Sequence, residues 1–148
     1  MAKSQKISAL VNAPAFAAYA DVATSLPTGA ATKVLFQQEN FDTAGNFASS
    51  RFTATVAGYY QINARVQCNG SITNALAMIY KNGSIFAVGT ADPGSFSSPI
   101  VGVSGLVYLN GSTDYVEIFV SHSTGSSVNT VVSDASITRF DGCLVRVA

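Results

Sequence analysis

Charged residues are scarce in this sequence, and the acidic and basic ones balance. Asp, Glu, Lys and Arg make up 11% of the 148 residues, with eight of each sign, whereas globular domains usually carry about 25%. Nucleic-acid binding needs a basic surface that displaces counterions from phosphates, and the basic residues here are scattered along the chain. The composition therefore argues against a nucleic-acid partner. It also leaves little charge to cover the surface, so we expect one face to be buried in an assembly.

Long apolar runs, cysteine clusters and acidic clusters are missing as well. A transmembrane helix needs about 20 consecutive apolar residues, and the sequence has no such run, so we expect no membrane partner. Cys68 and Cys143 are too few for a disulfide framework and form no C-x-x-C pair. We expect both to be reduced and to behave as small hydrophobes. Because the acidic residues are dispersed and reproduce no calcium loop, the sequence predicts no metal and no cofactor.

The N-terminal segment resembles a secretory signal peptide, but its apolar region is interrupted. Lys3 and Lys6 precede an apolar stretch at residues 7–20, as the charged region of a signal peptide would. Asn12 and Pro14 interrupt that stretch. We therefore expect a protein that is made in the cytoplasm without a signal peptide.

The length fits one domain, since single domains cluster near roughly 100–150 residues. We see no internal repeat and no linker. We interpret residues 13–148 as the domain and residues 1–12 as an N-terminal arm.

His122 is the only histidine, and it gives little support for catalysis. Ser121 and Ser123 flank it, but a serine triad also needs a carboxylate that orients the histidine. A lone histidine at a strand end is more often structural or exposed to solvent. The sequence therefore predicts no catalytic residue and no enzyme.

Turn signals recur about every ten residues, a spacing typical of the short strands of a sandwich or barrel. Asn69-Gly70, Asn82-Gly83 and Asn110-Gly111 each supply two residues that tolerate positive φ, as tight hairpins need. Each pair is followed by serine, so the triplets also spell glycosylation acceptors. Turn chemistry explains them without glycosylation.

Alternation with a period of two is clearest in residues 58–68. One face of this segment carries Tyr60, Ile62, Ala64, Val66 and Cys68. The other face carries Tyr59, Gln61, Asn63, Arg65 and Gln67. An apolar face opposite a polar one predicts a half-buried strand.

A second segment alternates but is largely apolar on both faces. Its first face carries Val116, Ile118 and Val120, and its second carries Tyr115, Glu117 and Phe119. A half-exposed strand has no reason to present Tyr115 and Phe119 to water unless something covers them.

Seven segments, in the right order, resemble the C1q-like domain family. Residues 51–62 are the most diagnostic, because Phe52-Thr53 leads into Gly58-Tyr59-Tyr60. The other segments are residues 16–19 (the first strand), 33–36 (the second strand), 41–47 (the following loop), 80–83 (a Lys-Asn-Gly turn), 105–120 (a strand-turn-strand) and 140–144 (the closing strand). The chain departs from the family at Ile62, where an aromatic residue is usual, and at Asp141 and Cys143, where serine and phenylalanine are usual.

The resemblance implies an all-β, ten-stranded jelly-roll sandwich of the C1q/TNF type that forms a homotrimer around a threefold axis. It places Tyr115, Glu117 and Phe119 at the trimer interface, with Tyr115 and Phe119 meeting their copies at the axis. In the family's sheet the last strand runs antiparallel beside the strand that contains Cys68. Cys143 should therefore lie near Gln61 and far from Cys68.

C1q-like domains without a collagen stalk occur in bacteriophage virion proteins, and this sequence has no Gly-x-y stalk. We therefore expect a trimeric structural protein on the virion surface, made in the host cytoplasm. The favoured role is a capsid decoration (cement) protein that contacts the major capsid protein or another virion protein. The alternatives are the receptor-binding head of a tail or head fibre, which would recognise a host surface glycan or protein, and a secreted C1q-like lectin or ligand.

The short arm favours decoration, because a fibre tip normally follows a long attachment region. We expect the arm to be the attachment device, with its lysines on an acidic surface and its apolar side chains on the partner. The residues expected to make this contact are Lys3, Lys6, Ile7, Leu10 and Val11.

Overall fold

The computed structural model describes residues 12–89 and 96–148, and in this part of the chain all regular structure is β-strand. The strands, in chain order, are β1 (Ala15–Tyr19), β2 (Ser25–Leu26), β3 (Thr32–Lys33), β4 (Gln38–Asp42), β5 (Phe47–Ala48), β6 (Arg51–Thr53), β7 (Gly58–Gln67), β8 (Ser71–Ile72), β9 (Leu76–Lys81), β10 (Ser84–Val88), β11 (Phe96–Ser97), β12 (Ile100–Leu109), β13 (Tyr115–Ser121), β14 (Val128–Asn129) and β15 (Arg139–Val147).

Two large antiparallel sheets contain most of these strands. The five-stranded sheet has the order β12-β7-β15-β1-β4. The six-stranded sheet has the order β10-β9-β13-β6-β5, and β3 also pairs with β13. Two small sheets, β11-β8 and β14-β2, join the loops at one end. Apart from the hairpins β9-β10 and β5-β6, the neighbours in the two large sheets are distant in sequence, as in a sandwich with crossing connections.

The two long alternating strands have the faces that their sequences predict. In β7, Tyr60, Ile62 and Val66 are fully buried, while residues at the intervening positions are exposed or half-buried. In β13, Val116 and Ile118 are fully buried. Burial of one face of each strand places the core between the two sheets.

Phenylalanine side chains fill the centre of the core. Phe16 of β1 stacks on Phe52 of β6, with ring centroids 4.4 Å apart, and on Phe47 of β5 at 5.2 Å. Phe140 of β15 meets Phe16 edge-on at 4.9 Å. Aromatic rings favour such offset-stacked and edge-on arrangements, and here they join the two sheets.

Two local expectations differ from the structure. The second strand is shorter than expected, since β3 ends at Lys33, although the backbone N–H of Val34 still donates to the carbonyl of Ile118 at 2.9 Å. Residues 41 and 42 belong to β4 and not to the loop that follows it.

Candidate functional site

The outward face of β13, where the trimer interface was predicted, is covered by side chains of the same chain. Phe119 stacks on Tyr80 of β9, with ring centroids 4.0 Å apart. The guanidinium of Arg51 lies 3.8 Å from the centre of the Tyr115 ring, in cation–π geometry. Tyr115 and Phe119 are thus half-buried before any second copy is present.

Glu117 lies between Tyr115 and Phe119 and forms two ion pairs. Its carboxylate accepts hydrogen bonds from Lys33 Nζ at 2.7 Å and from Arg51 Nε at 2.9 Å, and only 5% of the residue is exposed. Burial raises the pKa of the Glu117 carboxyl, but the hydrogen bonds and positive charges of Lys33 and Arg51 outweigh it and hold the pKa below its usual value. The ion pairs tie β3, β6 and β13 together.

These contacts give Tyr115, Glu117 and Phe119 a structural role within one chain. They satisfy the apolar and charged groups that the sequence left unexplained on the second face of β13. Contact of these residues with a second copy of the chain stays a prediction.

The outward face of the five-stranded sheet carries an apolar patch that no described residue covers. Tyr59 of β7, Leu106 and Tyr108 of β12, and Val145 of β15 are exposed, Leu106 by 54% and Val145 by 51%. Tyr59 and Tyr108 meet edge-on, with ring centroids 5.5 Å apart. We call these four residues the sheet patch. A hollow of about 490 Å³ lies within it, lined by Tyr59, Leu106, Val145, Arg146, Val147 and Ala148.

The rest of this face is polar and internally bonded. Gln61 Nε2 donates to Ser104 Oγ at 2.9 Å, and Ser104 donates to Asn63 Oδ1 at 3.0 Å. Asn63 Nδ2 and Arg139 Nε each donate to Asp141 at 3.2 Å. The chain of bonds crosses β12, β7 and β15, so these polar groups are already paired beside the sheet patch.

A second apolar surface lies on the edge strand β10. Ile85, Phe86 and Val88 are exposed, and among the described residues β10 pairs only with β9. An uncharged edge strand with apolar side chains tends to associate with another chain. We call these three residues the edge patch.

The two cysteines lie as predicted relative to Gln61. Cys143 of β15 is directly opposite Gln61 of β7, which confirms the expected register. Cys143 is exposed and Cys68 is buried, and both are free thiols. Burial raises the pKa of the Cys68 thiol to about 11.

His122 is a buried structural residue. Its Nε2 donates to the carbonyl of Leu26 at 2.9 Å, and its Nδ1 lies 3.1 Å from Thr124 Oγ1. Both ring nitrogens are therefore engaged within the chain, where they join the end of β13 to β2.

Metal sites and membrane helices are not found in residues 12–89 and 96–148. No group of three or more His, Cys, Asp or Glu side chains is placed there to hold a metal ion. No helix in the described part of the chain has the length and apolar character needed to cross a membrane. The predicted attachment residues Lys3, Lys6, Ile7, Leu10 and Val11 lie outside the described residues.

The sequence contains a pattern that indicates the sheet patch. Leu106 and Tyr108 alternate with the buried Val107 and Leu109, so residues 106–109 are apolar on both faces, like β13. Among the described residues, the second face of β13 is half-buried by its own chain, whereas Leu106 and Tyr108 of β12 stay exposed.

Comparison with known proteins identifies the fold. No protein-family model matches the chain, and no curated protein matches its sequence. Among solved structures, the globular domain of zebrafish complement 1qA is 19% identical with a TM-score of 0.64, covering 91% of this chain and 99% of that one. Murine APRIL is 10% identical with a TM-score of 0.70, covering 90% and 99%. The PRD1 vertex protein P5 is 18% identical with a TM-score of 0.61, covering 90% and 96%.

The chain is therefore an all-β jelly roll of the C1q/TNF type, as its sequence predicts. The similar structures thus include a complement domain, murine APRIL and a vertex protein. Identities this low establish the fold alone.

Proposed function

We propose that this protein is a homotrimeric structural protein of a bacteriophage virion, and that it acts as a capsid decoration protein. The observation that supports a virion role is the likeness to the PRD1 vertex protein P5, which covers nearly the whole of both chains. A domain with so little charge suits a protein whose surface is partly buried in an assembly.

Self-association is supported by two different apolar surfaces on one chain. The sheet patch lies on a sheet face, and the edge patch lies on an edge strand of the other sheet. A contact between two different surfaces is heterologous, and repeated head to tail it gives a closed ring if the rotation closes. We propose that the edge patch of one copy meets the sheet patch of the next, with three copies in the ring as the C1q/TNF resemblance implies.

The proposed interface differs from the one predicted at Tyr115, Glu117 and Phe119, and a pair of lysine substitutions distinguishes them. Leu106→Lys places a charge in the sheet patch, and Phe119→Lys places one on β13. A lysine in a dry interface costs several kcal/mol per ion. We expect Leu106→Lys to dissociate the trimer and Phe119→Lys to leave it assembled, as measured by light scattering.

Val22→Lys is the matched control, because Val22 is equally exposed but lies in the loop between β1 and β2, outside both patches. Dissociation by Phe119→Lys alone would support the β13 interface instead. A monomeric wild-type protein would refute the homotrimer.

The virion role is tested by locating the chain on purified phage particles with gold-labelled antibody. Label spread over the whole capsid supports decoration. Label confined to a tail or fibre tip supports the receptor-binding head, which would bind a host surface glycan or protein. Absence from particles would favour a secreted C1q-like ligand, the reading that the likeness to the complement 1qA domain supports.

A further inference from the structure

We propose that Asn69 is a site of spontaneous deamidation and that Asn82 and Asn110 are protected from the same reaction by the fold. All three stand in the same local sequence, Asn-Gly-Ser. The glycine that follows has no side chain to hinder attack by its backbone nitrogen. Because the local sequence is identical, differences in rate between the three sites must come from the structure.

The reaction closes a ring within the chain and then opens it. The backbone nitrogen of the glycine loses its proton to water or hydroxide and attacks Cγ of the asparagine. A new C–N bond forms, the bond from Cγ to Nδ2 breaks, and Nδ2 leaves as ammonia. Water then adds to one of the two carbonyls of the succinimide. The bond from that carbonyl carbon to the ring nitrogen breaks and the nitrogen regains a proton, which gives aspartate or isoaspartate. Ring closure requires a side chain that is free to bring Cγ against the glycine nitrogen, since such intramolecular steps depend on near-attack geometry.

Asn82 is held away from this geometry by hydrogen bonds at both ends of its amide. Its Nδ2 donates to Asp114 Oδ1 at 2.7 Å, and its Oδ1 accepts from the backbone N–H of Tyr115 at 3.0 Å. The pairing with a carboxylate is charge-assisted and thus stronger than a neutral hydrogen bond. Rotating the side chain toward Gly83 would break both bonds.

Asn110 is held by more hydrogen bonds than Asn82. Its Oδ1 accepts from the backbone N–H groups of Ser112, Thr113 and Asp114, each at 3.0 Å. Its Nδ2 donates to Thr113 Oγ1 at 2.9 Å. Rotation of the Asn110 side chain toward Gly111 would leave these backbone N–H groups without their acceptor.

Asn69 has no such anchor within the described residues. It is exposed, and its side chain makes no hydrogen bond to any residue in the described part of the chain. Only its backbone N–H is fixed, donating to the carbonyl of Asn129 at 2.8 Å. No described residue therefore holds the side chain away from the nitrogen of Gly70.

Conversion would change the end of the sandwich where β8 and β11 pair. The carbonyl of Gly70 accepts from the backbone N–H of Ser98 at 2.8 Å. Isoaspartate adds a methylene to the backbone just before this bond, and either product adds a negative charge to a chain whose formal net charge is zero. Protein that has aged should therefore become more acidic through one site.

The test is to incubate the assembled full-length protein at mildly alkaline pH and map its peptides by fragmentation mass spectrometry over time. Deamidation is recognised by the mass gain on replacing –NH₂ by –OH. We expect Asn69 to convert at least roughly tenfold faster than Asn82 or Asn110, which corresponds to about 1.4 kcal/mol of protection. In urea-denatured protein we expect the three sites to convert at similar rates.

Asn69→Gln is the blocking variant, because glutamine closes the ring far more slowly, and it should remove the acidic shift in isoelectric focusing. Asn129→Gln, which replaces an exposed asparagine followed by threonine, should leave that shift in place. The proposal is overturned if Asn82 or Asn110 converts as fast as Asn69 in the folded protein. It is also overturned if Asn69 stays intact while the denatured chain converts.

Discussion

Gly142 is a core position where a larger side chain would overlap its neighbours. It lies in the interior face of β15, where an added Cβ would come within 2.7 Å of Ile62 Cδ1 and 2.9 Å of Phe16 Cε1. We expect Gly142→Ala to lower the free energy of unfolding by roughly 1–3 kcal/mol, the usual effect of overpacking, as measured by urea denaturation.

Gly102→Ala is the control for that prediction. Gly102 lies on the outward face of β12, and its nearest atom to an added Cβ is the Ala64 carbonyl oxygen, at 3.5 Å. The free energy of unfolding should change little. Equal losses for the two alanines would mean that Gly142 is not packed between Ile62 and Phe16.

Glu117 should make the protein sensitive to acid. Its pKa is held below the usual value by Lys33 and Arg51, so its ion pairs stabilise the fold above the pKa of the unfolded chain. That stability is lost as the pH falls through the lower folded pKa. At neutral pH we expect Glu117→Gln to cost roughly 1–3 kcal/mol.

The measurement is the stability difference between wild type and Glu117→Gln as a function of pH. Taking the difference removes the contribution of Asp114, whose pKa is also lowered, by hydrogen bonds from Asn82 and Lys81. The difference should shrink as the pH falls. A difference that is independent of pH would show that Glu117 acts through packing and not through its charge.

At the scale of single residues, the sequence predicted which side chains are buried, but it did not predict which side chains contact each other. The alternation in β7 identified Tyr60 and Ile62 as core, because a half-buried strand repeats every two residues. Nothing in the spacing of Lys33, Arg51 and Glu117 reveals that three distant strands bring them together. That contact depends on sheet order, which a single sequence specifies only through a resemblance.

At the scale of strands, segments that are apolar on both faces are the informative signal, and the chain has two of them. Both β13 and the second half of β12 are apolar on two faces. In β13 the second face is covered by Tyr80 and Arg51 of the same chain. In β12 it is not, since Leu106 is more than half exposed. The sequence indicates that the second apolar face of each segment should be buried. It does not indicate whether residues of the same chain or of another chain bury it.

The N-terminal arm is the element whose role remains a proposal. The backbone N–H of Leu144 donates to the carbonyl of Pro14 at 2.9 Å, so the described fold is tied in from Pro14 onward. We expect a chain that begins at Ala13 to form trimers and melt close to the full-length protein. We expect it to fail to bind phage particles, and we expect binding by the full-length protein to weaken with salt, because Lys3 and Lys6 are expected to meet an acidic surface.

Light scattering, thermal melting and a particle-binding assay separate the outcomes for the arm. Loss of trimers on truncation would make the arm part of the interface between copies. Full particle binding by the shortened chain would mean that the jelly-roll body makes the contact.

At the scale of the whole molecule, low charge and two uncovered apolar patches favour an assembly over a monomer. The jelly-roll fold itself was predictable, because turn spacing and the order of seven segments both indicate it. The sequence does not specify where copies of the chain would meet, because that depends on which exposed groups remain after the chain has folded. We propose that the face carrying the sheet patch is buried between copies.

Cys143 offers the most direct test of that claim, because it lies on the central strand β15 of this face, opposite Gln61 and Ala15. The measurement is its alkylation rate in the native assembly, with Cys68 as internal control, since Cys68 is buried within each chain and its pKa is raised to about 11. We expect Cys143 to be protected in the wild-type trimer and to react readily in Leu106→Lys, while Cys68 stays protected in both. Rapid alkylation of Cys143 in a protein that light scattering shows to be trimeric would mean that this face is exposed, and it would contradict the proposed interface.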